Sequence, residues 1–370
     1  MSDYTSRARR FTLRFPLMTH LSIQINFWII AHIVFNLISY LIFRSFSTAF
    51  SLNIKATLGP NILLAIVLGI FYGLSFGLIE YFLENQFFRR KSLGRVLFLK
   101  AIFSLLVFFV LFGLIKLAIY KYIISPMFYP NGLSLTDQVW KYIFFMYLIY
   151  TFFINLIISF INQMNKKFGP GVLLPMLFGR YRSPKEEDRI FMFMDLKSST
   201  SIAEVLGHIR YSAFIRDSFM DINYVLSQFN AEIYQYVGDE IVLSWSTDDG
   251  LKESVCIAFF FACEAQFNRK AEIYLREYGM VPEFKAGIHR GKVTAVEIGE
   301  IKRDIAYHGD TLNTTARIQS VCNEFGKPFL ASKEMIDNTD ISKHYHITSI
   351  GMISLKGKRN PVEIVSVEQI

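Results

Sequence analysis

The sequence predicts a protein of two parts, an α-helical membrane domain followed by an α/β domain. Long apolar runs fall in the first half of the 370 residues, whereas short strand-like runs alternate with helical patterns in the second half. Charge divides in the same way: residues 1–170 contain 16 Lys and Arg against 4 Asp and Glu, and residues 171–370 contain 23 against 27. We therefore expect a four-helix transmembrane domain over residues 1–165, a connector over 166–188 and an α/β domain over 189–370.

The first half contains four apolar runs of membrane-spanning length. They are Ile23–Phe43, Ile62–Ile79, Val96–Ile119 and Tyr142–Ile161, and in these runs the charged residues are Lys100 and Lys116. A bilayer core of about 30 Å requires about 20 residues at a helical rise of about 1.5 Å each. The runs therefore predict four transmembrane helices in contact with the lipid bilayer.

Positive charge predicts the orientation of these helices. Ten Lys and Arg residues fall on one side of the predicted membrane: Arg7, Arg9, Arg10, Arg14, Arg89, Arg90, Lys91, Arg95, Lys166 and Lys167. Four fall on the other side: Arg44, Lys55, Lys121 and Lys141. Because positively charged loops stay in the cytoplasm, we expect a multi-pass protein of the cell membrane, inner or plasma, with both termini and the α/β domain cytoplasmic.

A few polar residues lie within the predicted helices. Glu80 and Lys100 fall near the cytoplasmic ends of the second and third helices, and we expect both side chains to reach the lipid headgroups. His32 and Asn36 lie one turn apart on the first helix, and we expect them to bond to a neighbouring helix. With these side chains scattered and no charged pair at mid-membrane, the pattern favours an anchor over a transporter.

The composition also excludes two classes of protein. A nucleic-acid-binding chain would carry its basic excess on the soluble part, but here the excess lies in the membrane half, so no nucleic-acid partner is expected. The three cysteines, Cys256, Cys263 and Cys322, are an odd and sparse set. They argue against a disulfide framework and fit a reducing compartment.

Helix-breaking residues predict the connector, and short apolar runs predict the elements of the α/β domain. Gly and Pro residues interrupt the connector at Gly169, Pro170, Gly171, Pro175, Gly179 and Pro184. The predicted order is then a strand at Ile190–Met194, a helix to about Phe229, a hairpin of Glu232–Val237 and Ile241–Trp245, a long helix over Leu251–Tyr278, strands over Phe284–Ile298, a helix over Thr311–Glu324, and late strands at Phe329–Ala331, His346–Ile350 and Val362–Val367. This order predicts a ferredoxin-like βαββαβ core with additions.

Two aspartates follow strand-like runs of this domain. Asp195 ends the first predicted strand, and Asp239 lies in the turn of the hairpin. In such a fold the first strand lies beside that hairpin, so both carboxylates are expected at one edge of the sheet. Two carboxylates this close repel each other unless a cation joins them, and hard divalent ions prefer carboxylate and phosphate oxygens. The pair is therefore a candidate metal site, although the Gly238-Asp239 pair can also serve only to make the turn.

Three hydroxyl residues, Ser198, Ser199 and Thr200, follow the first aspartate at the expected start of a helix. Free backbone N–H groups and the helix dipole at such a terminus suit a polyphosphate. The alternative is that Asp195 or Ser198 only caps the helix.

Three motifs then resemble the class III adenylate and guanylate cyclase catalytic domain. They are Phe193-Met194-Asp195-Leu196-Lys197-Ser198-Ser199-Thr200, Val237-Gly238-Asp239-Glu240, and Gly309-Asp310-Thr311-Leu312-Asn313-Thr314-Thr315-Ala316-Arg317-Ile318. The resemblance covers about Arg189–Val367, and the 44-residue separation of the two aspartates suits that family.

The resemblance implies a two-metal cyclase that forms a head-to-tail homodimer. The two aspartates would hold two Mg²⁺ ions per site, with Mn²⁺ as a substitute. Asn313 would orient the ribose, Arg317 would stabilise charge on the α-phosphate, and Lys356, or failing it Lys358, would contact phosphate. In this family the aspartates come from one subunit and the Asn/Arg pair from the other.

The positions that select the base depart from the family pattern. Gln235 stands where adenylate cyclases commonly have Lys and guanylate cyclases have Glu, and Ala306 stands where Asp, Thr or Cys is common. Gln235 can donate or accept a hydrogen bond, whereas the Ala306 side chain can do neither. The resemblance favours ATP and the product 3′,5′-cyclic AMP. The alternatives are a guanylate cyclase acting on GTP, a catalytically silent nucleotide-binding signalling domain, and a transporter with a regulatory cyclase-like domain.

Overall fold

The computed structural model describes residues 15–51, 58–83, 93–117, 136–168, 179–226, 228–300, 303–337, 339, 344–354 and 361–370. The chain divides into two compact units, Phe15–Leu173 and Leu174–Ile370.

Four long helices make up the first unit. They are α1 (Pro16–Ala49), α2 (Leu58–Leu83), α3 (Leu93–Leu114) and α4 (Asp137–Phe168). Each is long and apolar enough to cross a membrane. Within the described residues the four predicted apolar runs are therefore helical, and α1, α2 and α4 extend beyond their runs at both ends.

Helices α1 and α2 pack closely because α2 has glycines on the contact face. A side-chain Cβ at Gly69 would lie 2.5 Å from the α-carbon of Ile29, and one at Gly73 would lie 2.5 Å from that of Ile25. Small residues four apart let two helix backbones approach in this way. The two backbones touch here, so a larger side chain at either glycine would push the helices apart.

Glu80 is bonded to side chains of the three other helices. It accepts hydrogen bonds from Gln24 of α1 and Lys100 of α3, and from Asn162 of α4 at 3.3 Å. Lys100 is 7% exposed and forms an ion pair with this carboxylate. The expectation that Glu80 and Lys100 reach outward to headgroups was therefore wrong: each charge is satisfied by the other inside the bundle.

The polar pair on α1 also differs from expectation. The ring nitrogen Nδ1 of His32 lies 2.8 Å from the carbonyl oxygen of Trp28, and Asn36 donates to the carbonyl of His32 at 2.9 Å. Both bonds lie within α1. The two side chains therefore satisfy backbone groups of their own helix rather than a neighbouring helix.

The second unit is a mixed sheet with helices. Its elements in chain order are β1 (Lys185–Leu196), α5 (Ser199–Leu226), β2 (Glu232–Val237), β3 (Glu240–Ser246), α6 (Thr247–Leu251), α7 (Val255–Arg269), α8 (Ala271–Tyr278), β4 (Phe284–Ile298), β5 (Asp304–His308), α9 (Asp310–Ser320), β6 (Phe329–Ser332), α10 (Lys333–Ile336), β7 (Tyr345–Ile353) and β8 (Val362–Gln369). The strands lie in the order β2-β3-β1-β4-β6-β8-β7, and β5 pairs with β4.

The first four strands are antiparallel and correspond to the predicted core. Strand β1 lies between β3 and β4, so the first strand does adjoin the hairpin. The sheet continues past β4 through the parallel pair β4–β6 and the antiparallel pairs β6–β8 and β7–β8. The βαββαβ description therefore covers half of the sheet that the structure describes.

Three local predictions were wrong in detail. The long helix predicted over Leu251–Tyr278 is broken, because Glu253 and Ser254 adopt left-handed backbone conformations ahead of α7. Strand β4 runs unbroken over 15 residues, although more than one strand was expected over Phe284–Ile298. Strand β5 was not predicted.

The main hydrophobic core lies between one face of the sheet and the helices α5 and α7. Its largest fully buried side chains include Met192, Phe214, Trp245, Phe259 and Phe260. A smaller apolar cluster lies on the opposite face, around Phe191, Val242 and Val293. The helices α5 and α7 thus cover one face of the sheet, and α9 packs on the other face, where Leu312 contacts this smaller cluster.

Candidate active site

The two predicted metal aspartates lie at one edge of the sheet. In the antiparallel pair of β1 and β3, Asp195 is the direct partner of Glu240, and Asp239 is the residue before Glu240. The turn between β2 and β3 consists of Gly238 and Asp239, and Gly238 has a φ of +63°, which favours glycine. The structure therefore brings Asp195 and Asp239 together, with a third carboxylate, that of Glu240, directly after Asp239 in the chain.

Two further side chains bind Asp195. The ammonium of Lys285 on β4 lies 3.2 Å from Oδ2 of Asp195. The Nε2 group of Gln319 on α9 donates to the same oxygen at 3.2 Å. Lys285 is also the cross-strand partner of Asp195 in the β1–β4 pair. Asp195 is thus oriented by two elements, β4 and α9, that are distant from it in sequence.

The carboxylates of this edge repel one another. Partial burial, and then the neighbouring Asp239, raise the pKa of Asp195, whereas the bond and charge of Lys285 act in the opposite direction. Burial raises the pKa of Glu240 to about 7, with further contributions from Asp195 and Asp239. Because neighbouring carboxylates help to raise the pKa values of Asp195 and Glu240, a bound cation would be stabilising at this edge.

The donor set fits a hard divalent cation. Among the described residues, no group of three or more His, Cys, Asp and Glu side chains is arranged to hold a metal ion. The protein would therefore supply the two aspartates, and the other ligands would be oxygens from elsewhere. Mg²⁺ bound to one or two carboxylates together with substrate phosphates uses this kind of partial protein site.

Helix α5 begins next to the carboxylates. Ser198 has a left-handed backbone conformation, with a φ of +57°, and α5 starts at Ser199. Ser198 and Thr200 are exposed and Ser199 is half-buried. The first backbone N–H groups of α5 are therefore close in sequence to Asp195, as a phosphate site at a helix N-terminus requires.

A groove of about 580 Å³ reaches the second aspartate from the side of α5. Its walls are Tyr211, Ser212, Ile215, Arg216, Phe219, Met220 and Asn223 of α5 and Tyr236, Gly238 and Asp239 of the hairpin. The hairpin tip is thus open to solvent on the side of α5.

A β-bulge directs Gln235 to the sheet face that carries no core helices. The pairing of β2 with β3 shifts between Ile233 and Gln235, so Tyr234 has no paired residue on β3 and Gln235 lies opposite Val242. Val242 and Tyr234 belong to the apolar cluster on that face. Gln235 is exposed, and the register places it on the same face.

Ala306 on β5 lies close to this bulge. The backbone N–H of Tyr307 donates to the hydroxyl of Tyr234 at 3.3 Å, and the two tyrosine rings are 5.1 Å apart. Since these tyrosines are the chain neighbours of Ala306 and Gln235, the two predicted base-selecting positions adjoin within one chain. Ala306 is buried and has no polar side-chain atom.

Asn313 and Arg317 lie one turn apart on α9. Asn313 is exposed and Arg317 is half-buried. Within the described ranges, neither side chain forms a hydrogen bond or ion pair with Asp195 or Asp239. Helix α9 is held against the sheet because β4 has a glycine beneath it: a Cβ at Gly287 would lie 2.7 Å from the α-carbon of Gln319.

The remaining phosphate-contact predictions, Lys356 and its fallback Lys358, lie outside the described residues. Conversely, three residues of the site were not predicted from the sequence: Lys285, Gln319 and Glu240. Glu240 is the last residue of the motif Val237-Gly238-Asp239-Glu240, so a local signal for it was present. Lys285 and Gln319 reach Asp195 only through the β1–β4 pairing and the docking of α9, for which there was no local signal.

Comparison with known proteins is consistent with this geometry. A family model for the adenylate and guanylate cyclase catalytic domain matches residues 182–368. The chain is 32% identical over 209 residues to adenylate cyclase 2 of Rhizobium meliloti (strain 1021), covering 56% of this chain and 58% of that protein. It is 25% identical over 183 residues to an adenylate cyclase of Anabaena cylindrica, covering 48% and 36%. The chain thus spans little more than half, or less, of these curated relatives.

A solved bacterial light-regulated adenylyl cyclase shares the fold. Its TM-score is 0.50 at 16% identity, and the match covers 58% of this chain and 65% of that chain.

Proposed function

The chain belongs to the adenylate and guanylate cyclase family, and from this membership we propose that it is a membrane-bound adenylate cyclase that converts ATP to 3′,5′-cyclic AMP and pyrophosphate. The observation that carries the proposal is the meeting of Asp195 and Asp239 at one sheet edge, through the direct pairing of Asp195 with Glu240. The start of α5 beside that edge adds a phosphate-binding element.

Residues of this chain can be assigned to each step of the proposed reaction. Asp195 and Asp239 would hold Mg²⁺, or Mn²⁺ in its place, and the bound ions would supply activation of the ribose 3′-hydroxyl and neutralisation of the triphosphate. Ser198, Ser199, Thr200 and the first N–H groups of α5 would bind phosphate oxygens. Lys285 balances the charge of Asp195 and keeps its carboxylate oriented.

The pair on α9 would act on the sugar and the reacting phosphorus. Asn313 would orient the ribose, and the Arg317 guanidinium would bind the α-phosphate as its charge increases in the transition state. In the part of the chain that the structure describes, neither side chain is bonded to Asp195 or Asp239. This freedom supports a head-to-tail homodimer, in which α9 of one subunit completes the site formed by the aspartates of the other.

Base selection would rest on Gln235 and on backbone groups near Ala306. The Gln235 amide can donate to and accept from a purine edge, whereas Ala306 adds shape alone. ATP is the proposed substrate because the curated relatives described above are adenylate cyclases. GTP is the second candidate, because Gln235 can serve either base.

The direct test offers ATP and GTP together, with Mg²⁺ or Mn²⁺, to the purified full chain in lipid nanodiscs. We expect cyclic AMP as the main product, and its loss in Asp195→Asn and Asp239→Asn. Asp248→Asn, a change at an exposed aspartate of α6, is the matched control and should remain active. Cyclic GMP as the main product would replace ATP by GTP in the proposal, and the absence of both products would refute cyclase activity.

The dimer has a separate test by complementation. Asp195→Asn and Arg317→Ala chains should each be inactive alone. Mixed in equal amounts, they should recover about a quarter of wild-type activity, because about half of the dimers are mixed and each has one intact site. A mixture that remains inactive, while both variants still dimerise, would contradict the shared site.

The proposed localisation is the cell membrane, with four spans, both termini inside and the catalytic domain in the cytoplasm. The length and apolarity of the four helices support it. The chain should stay with the membrane fraction after an alkaline wash, and a cysteine placed at Arg44 should react with an impermeant thiol reagent from outside the cell. Release by the wash would contradict the proposal.

A further inference from the structure

The two carboxylate oxygens of Asp195 have different surroundings. The Lys285 ammonium lies 3.2 Å from Oδ2, and the Nε2 group of Gln319 donates to that same oxygen at 3.2 Å. From the residues that the structure describes, Oδ1 accepts no hydrogen bond. A cation that binds Oδ1 therefore has no competing donor there, whereas at Oδ2 it meets a positive charge that is already bound.

The fold holds the Lys285 ammonium among the carboxylates of the sheet edge. Lys285 lies on β4 directly across from Asp195, and its side chain is 14% exposed. Burial and neighbouring carboxylates raise the pKa values of Asp195 and Glu240, and the positive charge of Lys285 lowers both. The ammonium therefore acts on two of the three carboxylates and offsets part of their repulsion.

A divalent cation and this ammonium cannot both be bound closely at Oδ2. Like charges a few ångströms apart repel each other strongly in a partly buried site, where water screens them poorly. The four-carbon stem of a lysine is flexible, so the ammonium can move away when an ion binds. Because that movement breaks its contact with Asp195, the affinity of the site for the ion is reduced.

We propose that Lys285 competes with the divalent cation for Oδ2 of Asp195. It binds this oxygen in the metal-free protein and is displaced when the oxygen becomes a metal ligand. Lys285 is thus a positioning residue that keeps Asp195 paired before the cation binds and weakens cation binding afterwards. The inference rests on the metal site of the proposed function and does not require turnover of a nucleotide.

The test measures Mn²⁺ binding, without nucleotide, to the full chain in phosphatidylcholine nanodiscs, from the electron paramagnetic resonance signal of the free ion. Lys285→Met removes the charge and keeps an unbranched stem, whereas Lys285→Arg keeps the charge. Lys197→Met is the matched control, because Lys197 is two residues from Asp195 in the chain but pairs with Glu283 at 3.0 Å.

We expect Lys285→Met to bind Mn²⁺ about tenfold more tightly than the wild type, a typical coupling between two bound groups. Lys285→Arg and Lys197→Met should bind it as the wild type does. In EDTA the Lys285→Met chain should melt below the wild type, because Asp195 has lost its partner. Saturating Mn²⁺ should then raise its melting temperature more than that of the wild type.

A lysine that only supports the fold would lower the melting temperature without strengthening Mn²⁺ binding. Binding by Lys285→Met that is equal to or weaker than that of the wild type would therefore overturn the proposal. An equal gain in Lys285→Arg or Lys197→Met would also overturn it, because the competing charge at Oδ2 would not be the cause.

Two further outcomes are distinguishable. If Lys285→Met fails to fold, as judged by loss of its cooperative melting, Lys285→Gln replaces it with the same expectation, because it keeps a hydrogen-bond donor without the charge. Tighter Mn²⁺ binding by the variant, together with no cyclic nucleotide from the wild type, would refute the cyclase reaction and support the competition at Asp195.

Discussion

The cost of crowding carboxylates at the sheet edge can be measured through Glu240. This side chain is half-buried opposite Asp195 and next to Asp239. Replacing it by Gln keeps the size of the side chain and removes its charge. We expect Glu240→Gln to be more stable than the wild type at about pH 8 in the absence of divalent metal, because the folded state no longer has to hold this third negative charge.

The magnitude follows from the pKa of the carboxyl. A pKa of about 7, against an ordinary value of 4.5, corresponds to at most ~3.5 kcal/mol. Solvent screening at a half-buried site reduces this, and we expect about 1–2 kcal/mol. For a domain of this size the melting temperature should rise by about 3–6 °C.

The sign depends on pH. Because the folded pKa lies above the unfolded one, the carboxyl is protonated in both states below about pH 4.5, and the penalty is absent there. The penalty grows as the pH rises from 4.5 to about 7 and is then constant. The stability gained by the variant must therefore be large at about pH 8 and small at about pH 5.

The assay is thermal unfolding of the full chain in nanodiscs, followed by tryptophan fluorescence, since Trp245 is fully buried in the α/β unit. Glu324→Gln, at an exposed position after α9, is the matched control and should melt as the wild type does. Saturating Mg²⁺ should reduce the difference, because the cation offsets the same repulsion. A variant no more stable than the wild type at pH 8, or one with an equal gain at pH 5, would show that the charge of Glu240 does not destabilise the folded state.

Three further changes test other parts of the site. Gly287→Ala should abolish cyclase activity and lower the free energy of unfolding by about 1–3 kcal/mol, because the new Cβ would lie 2.7 Å from the α-carbon of Gln319 and push α9 off the sheet. Urea unfolding measures the loss of stability, and cyclic nucleotide formation measures the loss of activity. Arg189→Met should destabilise the α/β unit by about 3–5 kcal/mol, because the arginine is 6% exposed and its loss leaves two carboxylates without their partner. A melting temperature equal to that of the wild type would contradict this. Gln235→Lys combined with Ala306→Asp should raise the ratio of ATP to GTP turnover about tenfold or more, because the two side chains would then donate to and accept from the adenine edge. The ratio is measured by offering both nucleotides together.

The sequence was informative where the signal is local. The apolar runs predicted the four helices, and the strand at Ile190–Met194 followed by a hairpin predicted that Asp195 and Asp239 would meet. Apolar runs and turn residues are patterns of a few neighbouring residues, so they can be recognised directly in the sequence.

Long-range packing explains what the sequence did not show. Lys285 meets Asp195 because β4 pairs with β1 in one register, and a shift of one residue would turn its side chain to the other face. Glu80 was expected to reach the headgroups, but three other helices supply its partners, and no pattern on α2 alone indicates them. The bulge that exposes Gln235 depends on one unpaired residue, Tyr234, which breaks the alternation that a sequence pattern relies on.

The bond from Gln319 to Asp195 has a consequence for how the two halves of a dimer communicate. Helix α9 contacts the aspartate of its own subunit through Gln319 and, in the proposed assembly, presents Arg317, two residues earlier, to the neighbouring subunit. A cation or nucleotide that draws Asp195 away from Gln319 would loosen one anchor of that helix. Substrate arriving at one centre would thereby alter the arginine that serves the second, so the two centres would turn over in dependence on each other, with cooperative rather than hyperbolic kinetics in ATP.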